Sequence, residues 1–315
     1  MGGGGMARSV IVRPVEREYR EVLFDSRRWQ GFTSRAGDIL VCTPPKCGTT
    51  WMQAIVAGLL FPDGAPGRVW DVSPWLEARA RPIDEVLARL DAQTHRRCIK
   101  THTPADLIPR SRSTSYVVVG RDGRDACMSF WNHWRNMRPE LLDHLQTTAV
   151  ADGIEASLLP VDDIHEFFAG WLYEYPLWFE HVASFWKHRG EENVLFVHYN
   201  DLQAGLDREM RRVAGFLGVS VDEERWPALV ESCTFAAMKQ RSDDIADFER
   251  AFAGGADSFL YKATNGRWRD VLTDDELAAF DRRCQELLPP DAIAWTVGGE
   301  AALTQQRDPD SVTSA

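Results

Sequence analysis

The sequence lacks the features that would place it in a membrane or outside the cell. No apolar stretch in its 315 residues approaches the length that spans a bilayer. The start, Met-Gly-Gly-Gly-Gly-Met, has no apolar region of the kind found in a signal peptide, and Met6 stands where a myristoylation signal needs serine or threonine. These absences predict a cytoplasmic protein, with residues 1–9 as a flexible leader.

Positive charge and paired cysteines are also scarce. The formal net charge is −11 and the isoelectric point about 5.3, which argues against broad attraction to nucleic acid or anionic lipid. The six cysteines form no Cys-x-x-Cys pair, and no carboxylate cluster resembles a Mg²⁺ site, so no metal is predicted. An anionic ligand would therefore have to be held locally, by a few residues.

One stretch, residues 38–58, contains what a local anion site needs. The apolar run Ile39–Cys42 is short enough to be a buried parallel strand, and two prolines then stop it. From Trp51 onward, apolar residues recur at helical spacing. The loop between them carries Lys46, a glycine and two threonines, and its backbone N–H groups face the positive end of the helix dipole. The pattern favours an anion-binding turn over a proline-rich connection without a ligand.

The position of the lysine indicates which kind of loop this is. A Walker A loop carries its lysine after the second glycine, whereas Lys46 precedes Gly48. Residues 42–51 resemble the 5′-phosphosulfate loop of the cytosolic-type sulfotransferases, which use 3′-phosphoadenosine 5′-phosphosulfate (PAPS) and release adenosine 3′,5′-bisphosphate (PAP). Pro44 replaces a tyrosine of that loop, and Cys47 replaces a serine. The resemblance implies cofactor contacts from Lys46, Cys47, Gly48, Thr49, Thr50 and Trp51.

A second element, Lys100-Thr101-His102-Thr103-Pro104, follows a short apolar strand. Ligands in open parallel sheets bind beyond the carboxyl ends of the strands, so His102 is expected to face the same crevice as Lys46. A lone histidine at a strand end is ordinarily structural, but this segment resembles the family's Lys-Thr-His-x-Pro element. The resemblance implies that His102 is the catalytic base, and that Lys46, assisted by Lys100, stabilises the leaving group of a sulfuryl transfer.

Later segments resemble the family's nucleotide contacts in the family's order. Arg121 and Ser129 follow a β-branched strand and match the arginine and serine that bind the 3′-phosphate. Tyr199 lies in a segment close to the family's Tyr-Glu-Asp-Leu and would bond the adenine or the loop around it. Phe235 could stack on the adenine opposite Trp51. Cys233 stands where the family usually has a hydroxyl residue.

A segment near the C-terminus resembles the loop that closes on the 3′-phosphate, Arg-Lys-Gly-x-x-Gly-x-Trp. Lys262 is kept, whereas Tyr261 replaces the arginine and Ala263 a glycine. One cationic contact is therefore missing. This predicts either a weaker grip on the cofactor or compensation from Arg267 or Arg241.

Two tryptophan-rich segments bear on the chemical class of the acceptor. Residues 61–82 and 131–162 could line an acceptor pocket or simply pack on the sheet. No basic stripe suits a polyanionic polysaccharide, so the predicted acceptor is a small apolar alcohol, a phenol or a lipid-linked sugar. Residues 72–76 and the Lys-Thr-His-Thr-Pro form look like a bacterial branch that includes glycolipid sulfotransferases.

Strand candidates that alternate with helices predict an α/β protein with three layers, α/β/α, and a central, mostly parallel sheet. The resemblance spans about residues 22–290 and implies the P-loop-like sulfotransferase fold. Residues 10–299 are expected to form a single domain, with a disordered polar tail over 300–315. The family's dimer signature is largely lost, which predicts a monomer or a different dimer.

Two other functions remain open at this point. A nucleoside or nucleotide kinase would need Mg²⁺ and a Walker lysine, and neither is evident. A nucleotide-binding protein without catalysis is suggested by the arginine missing at Tyr261. Transfer of labelled sulfate to any acceptor would exclude the second alternative.

Overall fold

A parallel sheet lies at the centre of the computed structural model, which describes residues 11–155 and 161–307. The strands are β1 (Ile11–Arg13), β2 (Ile39–Cys42), β3 (Cys98–Thr101), β4 (Arg110–Ser111), β5 (Ser115–Gly120) and β6 (Val194–His198). The central sheet has the order β3-β2-β5-β6, and each neighbouring pair is parallel. Strands β1 and β4 form a separate antiparallel pair.

Helices occupy most of the chain between and after the strands. In chain order they are α1 (Thr49–Leu60), α2 (Val69–Val72), α3 (Ile83–Ala92), α4 (Gly123–Arg135), α5 (Pro139–Ala151), α6 (Ile164–Tyr173), α7 (Leu177–Trp186), α8 (Tyr199–Ala204), α9 (Leu206–Leu217), α10 (Trp226–Ser232), α11 (Phe235–Gln240), α12 (Phe248–Ala251), α13 (Gly255–Phe259), α14 (Asp274–Leu287), α15 (Pro290–Gly298) and α16 (Glu300–Arg307). None of the helices in the described ranges has the length and apolar character needed to cross a membrane.

Successive residues of β2 face opposite sides of the sheet, as the pleat of a strand requires. Ile39 and Val41 pack with α1 and α9 on one side. Leu40 packs with α3 and with Phe185 of α7 on the other. Helices therefore cover both faces, which confirms the predicted three-layer fold with a parallel central sheet.

Strands β2 and β3 end at the same level of the sheet. Cys42 lies opposite Thr101 in the register, and the N–H of Thr43 donates to Thr101 O at 3.1 Å. The residues that follow the two strands, Thr43 and His102, are therefore neighbours at the carboxyl edge. Strand β5 flanks β2 on its other side and leads to Arg121. One edge of the sheet thus gathers residues from three strand ends.

Helix boundaries follow the breakers in the sequence. Pro176 separates α6 from α7, and Gly218, with φ +64°, ends α9. Gly205 has a non-helical backbone and separates α8 from α9.

The prediction of a disordered tail over 300–315 is wrong for its first half. Residues Glu300–Arg307 form α16, in which Leu303 packs on the hydrophobic core. The N–H of Glu300 donates to Asp201 Oδ2 at 3.1 Å. The polar composition of the segment concealed this one apolar anchor. The remaining residues, 308–315, and the predicted leader, 1–9, lie outside the described residues.

Candidate active site

The loop between β2 and α1 has a backbone conformation that few residues adopt. Lys46 has φ +67°, which is uncommon for a residue with a Cβ, and Gly48 has φ +99°. A Cβ on Gly48 would come within 3.0 Å of the Tyr199 ring, so this position needs glycine for both conformation and space. Strain of this kind concentrates at binding sites. The loop is thus held in one shape immediately before α1.

The start of α1 leaves backbone donors available. Within the described residues, no side chain caps this helix N-terminus, which is the arrangement that an anion-binding helix start requires. The hydroxyl of Thr49 is 2.6 Å from that of Thr43, and Thr50 is buried in the first turn. The thiol of Cys47 is fully buried, and the backbone N–H of Cys47 donates to Pro44 O at 3.3 Å. In this structure Cys47 therefore offers a ligand neither an exposed thiol nor a free backbone N–H.

The ammonium of Lys46 lies against one histidine and one aromatic ring. Its Nζ is 3.4 Å from Nδ1 of His133 and 4.2 Å from the centre of the Phe259 ring. Burial lowers the pKa of Lys46 to about 7, and the like charges of Lys100 and Arg121 add to this effect. Near neutral pH, Lys46 therefore changes its charge readily, and an anion beside it would favour the ammonium.

The imidazole of His102 is fixed in one tautomer. Its Nδ1 lies 2.7 Å from Thr43 O, and because a carbonyl oxygen can only accept, Nδ1 carries the proton. Burial lowers the pKa of His102 well below its usual range, with Lys100 and Lys46 acting in the same direction. The result is a neutral ring with an unprotonated Nε2. Such a nitrogen can accept a proton from a hydroxyl group.

Two tryptophans and a buried carboxylate surround Lys100. Its Nζ is 4.1 Å from the centre of the Trp75 ring and 5.6 Å from that of Trp70, so both tryptophans line the site. Burial lowers the pKa of Lys100 to about 8, while Glu77 opposes the change. Glu77 Oε1 also accepts from the N–H of His102 at 2.6 Å. Glu77 thus interacts with both Lys100 and His102 at the end of β3.

Arg121 is placed to bind an anion and is occupied by an amide in this structure. Its Nε and Nη2 donate to Oδ1 of Asn265 at 3.0 and 2.6 Å, in the two-pronged geometry that suits a phosphate. Its Nη1 donates to Lys46 O at 3.2 Å, and the guanidinium stacks on Tyr199 at 4.2 Å. Arg121 therefore connects the loop, the β6 end and the segment of Asn265.

Ser129 lies nearly two turns into α4 and is half-buried. Among the described residues, no hydrogen bond joins it to Arg121, its predicted partner for the 3′-phosphate. His133, which sequence reasoning missed, follows Ser129 by one helical turn and reaches Lys46. The i to i+4 spacing on one helix face was the signal that could have identified His133.

The predicted adenine contacts adjoin one another. Nε1 of Trp51 donates to Cys233 O at 2.7 Å, and the Trp51 ring meets Tyr199 edge-on at 5.4 Å. The thiol of Cys233 is buried, which raises its pKa to about 11, so this residue takes part through its carbonyl. Phe235 begins α11 and packs on the same hydrophobic cluster as Trp51.

The closing segment keeps a left-handed turn at the position where the family has glycine. Ala263 has φ +51° there. Tyr261 is 42% exposed, with Lys262 Nζ 5.0 Å and the Arg267 guanidinium 5.1 Å from its ring. Arg241 instead donates to a backbone carbonyl of α10, at 3.0 Å. Of the two arginines offered as replacements, Arg267 lies beside Tyr261.

The tryptophans of α4 pack rather than line the site. Trp134 and Met137 are buried in the hydrophobic core. The indole of Trp131 donates to Val161 O at 2.8 Å, and the Arg135 guanidinium covers its ring at 4.6 Å. In this region the packing interpretation holds, whereas Trp70 and Trp75 belong to the site.

Positive charge at the site comes from side chains. Lys100 and Arg121 both act on the pKa of Lys46, which places three cationic groups within range of one another. In the described part of the chain, no group of His, Cys, Asp or Glu is arranged to hold a metal ion. The arrangement can bind a polyanion at the start of α1 and, beside it, remove a proton through His102.

Comparisons with known proteins agree with one another. The family model described as the sulfotransferase domain matches residues 36–290. A glycolipid sulfotransferase of Mycobacterium bovis is 34% identical over 309 residues, covering 89% of this chain and 94% of that protein. A glycolipid sulfotransferase of Mycobacterium tuberculosis is 34% identical over 307 residues, with the same coverage of 89% and 94%.

A solved structure shares the fold. The crystal structure of mouse sulfotransferase SULT7A1 complexed with PAP superposes with a TM-score of 0.66, at 19% sequence identity. The match covers 91% of this chain and 94% of the mouse chain. At this level of identity the likeness concerns the fold.

Proposed function

This chain belongs to the sulfotransferase family and is a sulfotransferase, and we propose that it moves the sulfuryl group of PAPS to a hydroxyl of a small apolar alcohol, a phenol or a glycolipid. The glycolipid sulfotransferases of Mycobacterium and the PAP in the mouse structure support this choice of acceptor and donor. The formal net charge of −11 disfavours a polyanionic acceptor.

One observation carries the proposal. Thr43 joins the two halves of the site, because its hydroxyl meets Thr49 at 2.6 Å while its carbonyl accepts from His102 at 2.7 Å. A base is thus fixed directly beside the helix start that would hold the 5′-phosphosulfate. Lys46, in the loop between Thr43 and Thr49, lies near enough to His102 for its charge to lower the pKa of that histidine.

The proposed reaction is an in-line displacement at sulfur. Nε2 of His102 takes the proton of the acceptor hydroxyl, and the acceptor oxygen forms the new S–O bond. The bond between sulfur and the bridging oxygen of the 5′-phosphate breaks, and its electron pair remains on that oxygen. Lys46, assisted by Lys100, stabilises the charge that develops there, as cations do in phosphoryl transfer.

The 3′-phosphate is proposed to bind in the fork of Arg121. In the structure this fork holds Asn265 Oδ1, a neutral acceptor that a doubly charged phosphate can displace. Displacement would release Asn265 toward Asn200 and Gln203, to which its amide already donates at 2.7 and 2.9 Å. The adenine would lie near Tyr199 and Trp51, the aromatic pair beside that fork.

PAP is expected to stabilise the protein against heat far more than ATP with Mg²⁺ does. A ligand at 100 times its Kd adds about 2.7 kcal/mol to the free energy of unfolding. Adenosine 5′-monophosphate, which lacks the 3′-phosphate, should give a smaller shift, and Arg121→Gln should remove most of the difference between the two nucleotides. Differential scanning fluorimetry measures the three nucleotides with the parent protein, and PAP and adenosine 5′-monophosphate with Arg121→Gln. Stabilisation by ATP with Mg²⁺ but not by PAP would instead indicate a kinase.

PAP binding at pH 8 is expected to take up close to one proton. With a pKa of about 7, Lys46 is mostly neutral at this pH in the free protein, and the bound 5′-phosphate raises its pKa and favours the ammonium. The phosphates are fully ionised at pH 8, since their second pKa is about 6. Calorimetry in two buffers of different ionisation enthalpy measures the uptake. Lys46→Met should lower it by most of one proton and leave only what Lys100, with a pKa of about 8, takes up. Binding enthalpies that are equal in both buffers would contradict this assignment.

A further inference from the structure

Side-chain contacts lead away from Lys46 along one wall of the site. His133, which meets Lys46 Nζ at 3.4 Å, stacks on Phe130 with ring centres 6.3 Å apart. Phe130 stacks in turn on Tyr175, at 5.4 Å. Tyr175 lies between α6 and α7, just before Pro176. This wall therefore ends in a phenol that two rings separate from the lysine.

A second wall leads away from His102. Its ring meets Trp75 edge-on at 4.8 Å, and Trp75 meets Phe24 at 6.1 Å. The carbonyl of Phe24 accepts from the N–H of Glu21 at 3.0 Å, so Glu21 and Phe24 close one tight turn. The second wall therefore ends in a carboxylic acid from the N-terminal segment.

The two walls meet. Oη of Tyr175 lies 3.5 Å from Glu21 Oε1. On the opposite side the circuit is completed by Phe259 and Trp70, whose rings are 5.6 Å apart and which contact Lys46 and Lys100 respectively. The contacts close into a ring because Trp75 also lies 4.1 Å from Lys100 Nζ. This ring includes Lys46, and His102 contacts it through Trp75. Glu21 and Tyr175 are the polar residues of this ring on the side away from Lys46 and Lys100.

The bond between Glu21 and Tyr175 is long. Hydroxyl hydrogen bonds to oxygen are usually 2.7–2.8 Å, so a separation of 3.5 Å leaves both groups able to bond a further partner. Arg79, whose charge lowers the pKa of Glu21, pairs instead with Asp152 at 2.8 Å and lies 4.0 Å from Asp25. The backbone N–H groups of Leu23 and Phe24 also bond the Glu21 carboxyl, whereas the Tyr175 hydroxyl oxygen can still accept a hydrogen bond.

The Glu21 acid is mostly neutral below pH 8. Burial raises the pKa of Glu21 to about 8, against the opposing effects of the Leu23 and Phe24 N–H groups, Tyr175 and Arg79. A neutral carboxyl can both donate and accept a hydrogen bond, as the Tyr175 phenol can. The pair therefore suits an uncharged hydroxyl. An ammonium would also have to enter a ring that already contains Lys46 and Lys100.

We propose that Glu21 and Tyr175 bind a second hydroxyl of the acceptor, at the side of the pocket opposite the hydroxyl that is sulfated. The inference rests on the proposed function and narrows it, since the favoured acceptors are molecules with two or more hydroxyl groups. Glu21 and Tyr175 are specificity residues that do not touch the transferred group. Their removal should change the choice between acceptors.

Three phenols that differ in one heavy atom test the proposal: 4-propylphenol, 4-(2-hydroxyethyl)phenol and tyramine, which end in methyl, hydroxyl and ammonium. We expect kcat/KM for the hydroxyl member to exceed that for the methyl member by about 10-fold, the value of one well-made hydrogen bond. Glu21→Leu should bring this ratio close to one, through KM, and Tyr175→Phe should lower it in part. Glu21→Gln, which keeps the hydrogen-bonding groups, should keep most of it.

The matched control is Glu18→Gln, an exposed acid of the same segment that accepts from Gln30 at 3.3 Å and lies outside the ring. It should leave the ratio unchanged. Equal rates with the methyl and hydroxyl phenols, sulfation of neither, or a preference that survives Glu21→Leu would overturn the inference. The proposed function predicts that PAP stabilises every variant against heat. Heat stabilisation by PAP, measured on the same samples, therefore distinguishes failure of this inference, in which PAP still binds, from failure of the proposed function, in which it does not.

Discussion

Replacing His102 by alanine is expected to lower kcat by about 10² to 10⁴, the range that a positioned general base contributes. The affinity for PAP should stay close to that of the parent enzyme, because the ring bonds the Thr43 carbonyl and contacts Trp75 rather than the loop donors at the start of α1. Steady-state kinetics with PAPS, together with PAP-dependent heat stabilisation, measures both quantities on one preparation.

His133 is the control that makes this experiment decisive. It is a second neutral histidine in the site, since burial and Lys46 lower its pKa well below the usual range. Its Nδ1 faces the lysine, however, so it is expected to position Lys46 rather than take the acceptor proton. His144, an exposed histidine of α5, should be replaceable without effect. Full turnover by His102→Ala, or loss in His133→Ala alone, would move the base to another residue.

The assignment of His102 as the base also predicts in which direction kcat/KM changes with pH. Because the proposed base, His102, would act in its unprotonated form, activity should fall as the pH drops through its pKa. That pKa lies well below 6.5, so the acid limb of the profile should also lie below pH 6.5. An acid limb centred above pH 7 would indicate a different base.

Replacing Lys46 by methionine is expected to reduce kcat by about 10² to 10³, the usual cost of removing one group that stabilises developing charge. Methionine keeps an unbranched apolar side chain and removes the ammonium, which lies 4.2 Å from the centre of the Phe259 ring. The loss should appear mainly in kcat, since the interaction strengthens as the bridging oxygen becomes charged. Lys187→Met, at an exposed lysine, is the matched control.

Arginine should not rescue this position. Its guanidinium is larger than an ammonium and would have to fit between His133 and Phe259, 3.4 and 4.2 Å from the present Nζ. Lys46→Arg is therefore expected to remain at least 10-fold slower than the parent enzyme, on the scale of one misplaced charged contact. An unchanged kcat for Lys46→Met would show that the lysine does not stabilise the leaving group.

The family and the fold were predictable because their signals are local. The strand at Ile39–Cys42, the loop and the helix from Thr49 lie within a short stretch of chain, and the structure confirms all three elements. The register of β2 with β3 follows from the parallel order of the sheet and brings Thr43 next to His102. The comparisons confirm the predicted family.

The contacts that the sequence did not reveal join distant parts of the chain. Asn265 meets Arg121 across 144 positions, and Tyr175 meets Glu21 across 154. No periodicity links such pairs, and nothing in the sequence identifies Asn265 as the partner of Arg121 or Glu21 as the partner of Tyr175. The lowered pKa of Lys46 is of the same kind, because it depends on burial that only the assembled helices produce.

A crystal structure of the enzyme with PAP tests the central claim most directly, since it requires no knowledge of the acceptor. The 5′-phosphate should lie at the start of α1, with Lys46 Nζ moved from His133 to within about 3 Å of a phosphate oxygen. Nε2 of His102 should face the open side of that phosphate, where the sulfuryl group would stand. A 5′-phosphate bound elsewhere, or turned away from His102, would contradict the account.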